Sequence, residues 1–209
     1  MKEKISNLWY HYKVPIVVGI ALVLLLVIGL RSCSNRRVPD MKMVYFSDNS
    51  LSSDSSERLE NYLTDAKLLR DIDGDGEVNF YLEEIVSTFD IDEPMDEGTM
   101  SKIQTTFYAG EHTIMLAHKY ALEDYDGCFE DISSKVRSGE KTFVSPEGGF
   151  VTGISVEGNT LLENAGINTK DLYITMRLRT DKEKGKHDKH FNLAYEVMDH
   201  ILSFNEVAN

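Results

Sequence analysis

Residues 42–86 read KMVYFSDNSLSSDSSERLENYLTDAKLLRDIDGDGEVNFYLEEIV, and three patterns follow one another within them. KMVYFSD, residues 42–48, is a compact apolar run with the composition of a strand. A serine-rich turn follows, and Asp54 with Glu57 offers a capping-box start for a helix. Leu59, Tyr62, Leu63, Ala66 and Leu69 then recur at spacings of three and four, which places them on one helical stripe. In VNFYLEEIV, residues 78–86, Val78, Phe80 and Leu82 alternate with Asn79, Tyr81 and Glu83, the period of a half-buried strand. Strand, helix and strand in so little chain imply a layered α/β domain.

The alternation continues toward the C-terminus. Residues 87–98 form a loop with Pro94. Met100, Ile103 and Phe107 mark a second helix that ends near Ala109 and Gly110, where glycine suits a C-terminal cap. TIMLAH, residues 113–118, reads as a buried strand, and the stretch with Tyr125, Phe129 and Ile132 as a short helix or turn. Gly148 and Gly149 form a turn before FVTGISV, residues 150–156, another strand. Asn159 caps a brief helix, NTLLENAG, and DLYITMRLR, residues 171–179, alternates as a strand. A charged connector, DKEKGKHDK, leads to a last helix striped by Phe191, Ala194, Tyr195, Met198, Ile201 and Leu202. The order predicts one α/β domain, a single layered unit with a mainly parallel sheet flanked by helices.

Toward the N-terminus, VPIVVGIALVLLLVIGL, residues 14–30, is seventeen residues without a charge. At about 1.5 Å per residue, such a helix reaches about 25 Å and crosses a bilayer core. Trp9, Tyr10 and Tyr12 precede it as an interfacial belt. Lys2, Lys4 and Lys13 lie before the span and Arg31, Arg36 and Arg37 after it, so the positive charges nearly balance. A short basic leader ahead of an apolar run behaves as an export signal, which favours a cytoplasmic N-terminus and an extracytoplasmic body. A cleaved signal peptide would need a small-x-small site, and a lipoprotein signal ending at Cys33 is spoiled by Arg31. The organisation expected is a cytoplasmic leader at 1–13, a single-pass transmembrane helix at 14–30, a polar linker at 31–41 and an extracytoplasmic domain at 42–209, placing the protein at the cell membrane.

The chain carries a net charge of −13. Residues 1–37 hold six basic side chains and one acidic, so the remainder holds −18. A body that acidic repels phosphate backbones, which argues against nucleic acid as a partner and for ready binding of cations. Cys33 and Cys128 are too few and too far apart for a disulfide framework, and no Cys-x-x-Cys suggests a thiolate zinc site.

Asp71, Asp73, Asp75, Glu77 and Asn79 carry the one metal-ligating pattern. In DIDGDGEVN, carboxylates at alternate positions converge on a hard cation and Gly76, at position six, allows the sharp turn of an EF-hand-type calcium loop. Glu77 would contribute its carbonyl, and Asn79 would act through water. The pattern departs at position twelve, where Leu82 replaces the bidentate Glu, and Glu83 and Glu84 come too late. The alternative is an acidic surface turn. The spacing predicts structural Ca2+ binding, with the weak affinity of extracellular modules, roughly 10⁻⁴ to 10⁻³ M.

Other candidates are plainer. His187 and His190 sit in a solvated charge run, and His112 and His118 flank an apolar strand. No phosphate loop, nucleophile elbow or zinc-protease motif is present, so the domain reads as a non-enzyme with no catalytic residues.

KIQTTFYAGEHTIMLAHKYALEDYDGCFEDIS, residues 102–133, resembles bacterial extracellular solute-binding proteins of the type 2 periplasmic-binding fold. The likeness is carried by Ala109-Gly110-Glu111, by the strand at 113–118 and by Phe129-Glu130-Asp131-Ile132. GGFVTGISVEGNTLLENAGI, residues 148–167, is similar to that family's Gly-Gly-x-x-x-Gly-Ile phrase. The resemblance implies a binding domain for a small-molecule ligand or an envelope protein, matching one lobe where the family has two that close on a hinge. The alternative reading is an accessory docking subunit of a cell-envelope complex.

Overall fold

The computed structural model describes residues 14–15, 17–27, 39–72, 74–87, 95–108, 113–180, 185 and 188–205. The chain divides into two compact units, Met1–Val38 and Pro39–Asn209. In the first, residues 14–15 and 17–27 are helical and every described side chain is exposed. Among the described residues no helix is long and apolar enough to cross a membrane. The leader with its aromatic belt, the end of the expected span and Cys33 lie outside the described residues.

The second unit carries six strands, β1 (Met41–Ser47), β2 (Phe80–Val86), β3 (Ile114–His118), β4 (Thr142–Val144), β5 (Val151–Ser155) and β6 (Leu172–Met176). Its helices are α1 (Ser55–Asp65), α2 (Glu97–Tyr108), α3 (Lys119–Asp124), α4 (Thr160–Asn164) and α5 (Asp188–Leu202). The strands form one sheet in the order β2-β1-β3-β6-β5-β4. β1 is parallel to β2 and to β3, whereas the β3–β6, β6–β5 and β5–β4 pairs are antiparallel. The sheet is therefore mixed, and the expectation of a mainly parallel one is corrected. The cause lies in where the chain re-enters the sheet. Leu172 starts β6 beside the end of β5, its carbonyl accepting the N–H of Val156 at 3.0 Å, so β6 runs back antiparallel to β5. β4, which pattern reading did not anticipate, folds onto β5 through the Gly148-Gly149 turn, where Gly149 has φ +68°.

Helices cover both faces. Met41, Met43 and Tyr45 join one core with Leu59 and Leu63 of α1, Leu161 and Leu162 of α4 and the apolar stripe of α5. Val44 and Phe46, on the opposite face of β1, pack with Ile103 and Phe107 of α2 and Ala121 and Leu122 of α3. Period-two alternation thus sends each β1 side chain into one of two helix layers, and burial of both sets is the main source of stability. The body begins before Lys42, because Met41 is already in β1 and Asp40 is buried.

Candidate functional site

The acidic loop joins the segment after α1 to β2, at the amino ends of the parallel strands. Asp71 opens it with an exposed carboxylate around which the backbone folds. Its Oδ1 accepts the N–H of Gly74 at 2.5 Å and its Oδ2 that of Gly76 at 2.9 Å. Gly74 and Gly76 have φ of +82° and +85°, left-handed values that glycine adopts without strain. Asp75 Oδ1 accepts the N–H of Glu77 at 2.8 Å. Asn79 closes the loop half-buried, with Nδ2 enclosed and without a hydrogen-bond partner. Asp73 lies outside the described residues. Among the described residues no group of three or more His, Cys, Asp or Glu side chains is arranged to hold a metal ion. The backbone turns at Gly76, the sixth position of the pattern.

Pattern reading missed Asp40, which it placed in the linker. Asp40 Oδ1 accepts the N–H of Ile72 at 2.5 Å and Oδ2 that of Asn79 at 2.9 Å, while its carbonyl meets His190 Nδ1 at 3.1 Å. His190 is therefore packed against the start of β1 rather than solvated in a charge run. No local signal marked Asp40, because its partners lie 32 and 39 residues away. Beside the loop, Arg70, Asp71, Ile72, Lys189, Asn192 and Glu196 line an open groove of about 330 Å³, crossed by an Arg70–Glu196 ion pair of 2.9 Å.

The opposite rim lies at the carboxyl ends of β1, β2 and β3. The chain leaves β1 to one side to form β2 and returns on the other side as β3, so the strand order reverses at β1. Ligands of open α/β sheets sit in the crevice outside such a switch point. Ser47 ends β1 buried, donating its hydroxyl hydrogen to Asp48 Oδ1 at 3.2 Å and accepting the N–H of Asn49. Asn49 Nδ2 donates to the same Asp48 oxygen at 2.6 Å, and Glu84 Oε1 accepts the N–H of Leu51 at 2.5 Å. Burial pushes the Tyr45 phenol above its usual range, with the charges of Asp48 and Glu84 adding to the rise and a hydrogen bond with Ser47 opposing it. His118 ends β3 as the buried N-cap of α3, its Nδ1 accepting the N–H of Tyr120. Cys128 is half-buried, and burial raises its thiol pKa, which makes it a poor nucleophile. His112 and His187 lie outside the described residues.

No family model, curated protein or solved structure matches the chain.

Proposed function

We propose that this protein is a membrane-anchored, extracytoplasmic binding domain, non-enzymatic and similar to one lobe of a solute-binding protein, with a structural calcium ion in the loop at 71–79. The observation that carries the binding role is the reversal of strand order at β1, which brings the exposed Asp48 and Asn49 to the rim where β1 and β3 end. These side chains offer carboxylate and amide groups, suited to a small polar ligand. The anchor reading draws on the apolar helical residues 14–15 and 17–27, exposed along their length and continuing in sequence to residue 30. Calcium binding draws on Gly76, turned to φ +85° at the sixth position of the ligand pattern. A second reading, a docking subunit of a cell-envelope complex, draws on the body's forming one layered lobe.

The full chain in detergent, melted against a library of small polar solutes, tests the first reading. Stabilisation by one solute class that is lost in Asp48→Ala and kept in Asp71→Ala places binding at the carboxyl rim. A body indifferent to every solute that co-purifies with one membrane protein is the docking subunit instead. Millimolar calcium should raise the melting temperature at constant ionic strength, and Asp73→Ala should abolish the rise. A rise reproduced by sodium alone is screening and would reject the metal.

A further inference from the structure

The sheet has two outer strands, and they end it differently. β4, at one edge, is three residues long and its register shifts between Phe143 and Val144, features that keep an edge from pairing further. β2, at the other, runs seven residues in unbroken parallel register with β1. The Asn79 carbonyl accepts the N–H of Met41, and the Ser87 N–H donates to the Ser47 carbonyl. The odd-numbered residues from 79 to 87 therefore turn their backbone groups toward β1. The N–H and C=O groups of Phe80, Leu82, Glu84 and Val86 point away from the sheet, and among the described residues no hydrogen bond engages them. Tyr81 and Val86, 50 % and 41 % exposed, lie along this row. Glu83 and Glu84 stand at its centre, half-buried and on opposite faces, and β2 holds no basic residue.

We propose that the outer edge of β2 takes up an extended, lysine- or arginine-bearing segment of a partner protein as a further strand of the sheet. Main-chain hydrogen bonds to the row at Phe80, Leu82, Glu84 and Val86 supply the attachment, and the two acids supply the selection. Side chains on paired strands meet at roughly 4.5–5.5 Å between Cβ atoms, so basic residues beside Glu83 and Glu84 stabilise the added strand. Aromatic or β-branched residues suit the places beside Tyr81 and Val86. A body carrying −18 draws such a segment in from a distance. The same charges exclude a second copy. Laid antiparallel along the whole strand, its β2 sets Glu83 against Glu83, and laid parallel in register it sets both acids against their own kind. These edge groups belong to β2 itself, so strand addition needs neither a bound solute nor calcium.

The probe is a peptide matching β2 in its seven residues, blocked at both ends, with two adjacent lysines at its centre and β-branched residues on either side. It is added to the full chain in non-ionic detergent micelles, and amide hydrogen exchange is read residue by residue. At about ten times its dissociation constant it should slow exchange of Phe80, Leu82, Glu84 and Val86 about tenfold, because the unbound fraction sets the rate. Tyr81, Glu83 and Ile85, already bonded to β1, should change little, which leaves a period-two pattern. A peptide with proline on both sides of the lysines keeps the charge but loses N–H groups, and it should give no such pattern. Glu83→Gln with Glu84→Gln should weaken the native probe about tenfold and keep the fold, since glutamine at 84 still accepts the N–H of Leu51. Affinity unchanged in that variant overturns the basic partner. A probe that binds without period-two protection is held by charge alone and overturns the proposal, as does millimolar probe that leaves β2 unchanged. Slow exchange at those residues before any probe is added, with two chains per particle by light scattering, assigns the edge to a second copy and overturns it too.

Discussion

Tyr195 donates its phenol hydrogen to Glu130 Oε2 at 3.1 Å, and Arg179 meets Glu130 Oε1 through its side chain at 3.2 Å and its backbone N–H at 3.0 Å. The Arg179 guanidinium also lies 4.4 Å from the centroid of the Phe191 ring. This cluster fastens α5 to the end of β6. Burial, with the adjacent Glu130 carboxylate, pushes the Tyr195 pKa up to about 12. The folded state therefore keeps its proton where an unfolded tyrosine, near pKa 10, has lost it. The contribution of this group to stability is full below pH 10 and is lost as pH rises toward 12, by about 2 kcal/mol. Urea unfolding of the native protein between pH 9 and 11.5 should show that decline, and Tyr195→Phe should make it shallower, burial of Tyr45 and Tyr125 supplying the rest in the same direction. Gly76 gives a second prediction at this scale. Its φ of +85° suits no side chain, although a Cβ there would meet open space. Gly76→Ala should cost about 1–2 kcal/mol through backbone strain alone, and calorimetry should show weakened calcium binding.

Among the elements, α4 and α5 depend on one side chain. Asn159 is fully buried, and its Oδ1 accepts the N–H of Leu162 as the N-cap of α4. Its Nδ2 donates to the carbonyl of Ile201 in the last turn of α5 and to Asn205 Oδ1, both at 2.7 Å. Asn159→Ala removes the cap of α4 and leaves the Ile201 carbonyl with the N–H of Phe204 alone, so urea unfolding should show a loss of about 1–2 kcal/mol. Asn159→Asp keeps the cap acceptor but turns a buried carboxylate oxygen toward the Ile201 carbonyl and Asn205 Oδ1, two acceptors, and should cost at least as much as Asn159→Ala at neutral pH. The capping role was legible in NTLLENAG, because a cap is local. The bond to Ile201 was not, because 42 residues separate the partners. The same division runs through the fold. The stripe of α5 and the apolar run of β3 announced themselves by period, and Phe191, Ala194, Met198, Ile201 and Leu202 are all buried. Asp54 was legible as a helix start, yet its carboxylate bonds Ser52 and Arg58 instead of capping the backbone. β2 misled differently. Leu82 and Ile85 face opposite layers, so strict alternation with one wet face does not hold. Strand direction was beyond reach, since it depends on the end at which a connection re-enters the sheet, as Leu172 does beside Val156. At the acidic loop the ligand pattern was plain in one dimension, and the buried clasp from Asp40 was not.

Across the whole molecule, charge and hydrophobicity are segregated along the chain. Residues 1–37 hold +5, and the remainder holds −18 of the net −13. A body of that charge is repelled by anionic lipid, so it has no electrostatic reason to stay at a membrane surface. On the proposed reading, retention there depends on the apolar segment. Leu24, Leu25 and Leu26 are 56 %, 66 % and 63 % exposed, and water-facing area of that kind carries about 25 cal/mol per Å² for transfer to an apolar phase. Pro39–Asn209 contains both cores and the entire sheet, whose bonds close within it. The full chain, expressed in bacteria, should therefore remain in the membrane pellet after alkaline extraction. A fragment of residues 39–209 should stay in the supernatant and melt cooperatively, because both cores and the sheet are formed by its own residues. Protease added to intact cells should degrade the body if the domain lies outside. A full chain released by alkali rejects the anchor. A body that protease reaches only after lysis rejects the extracytoplasmic placement, and with it the calcium-rich surroundings that a site of roughly millimolar affinity needs in order to be filled.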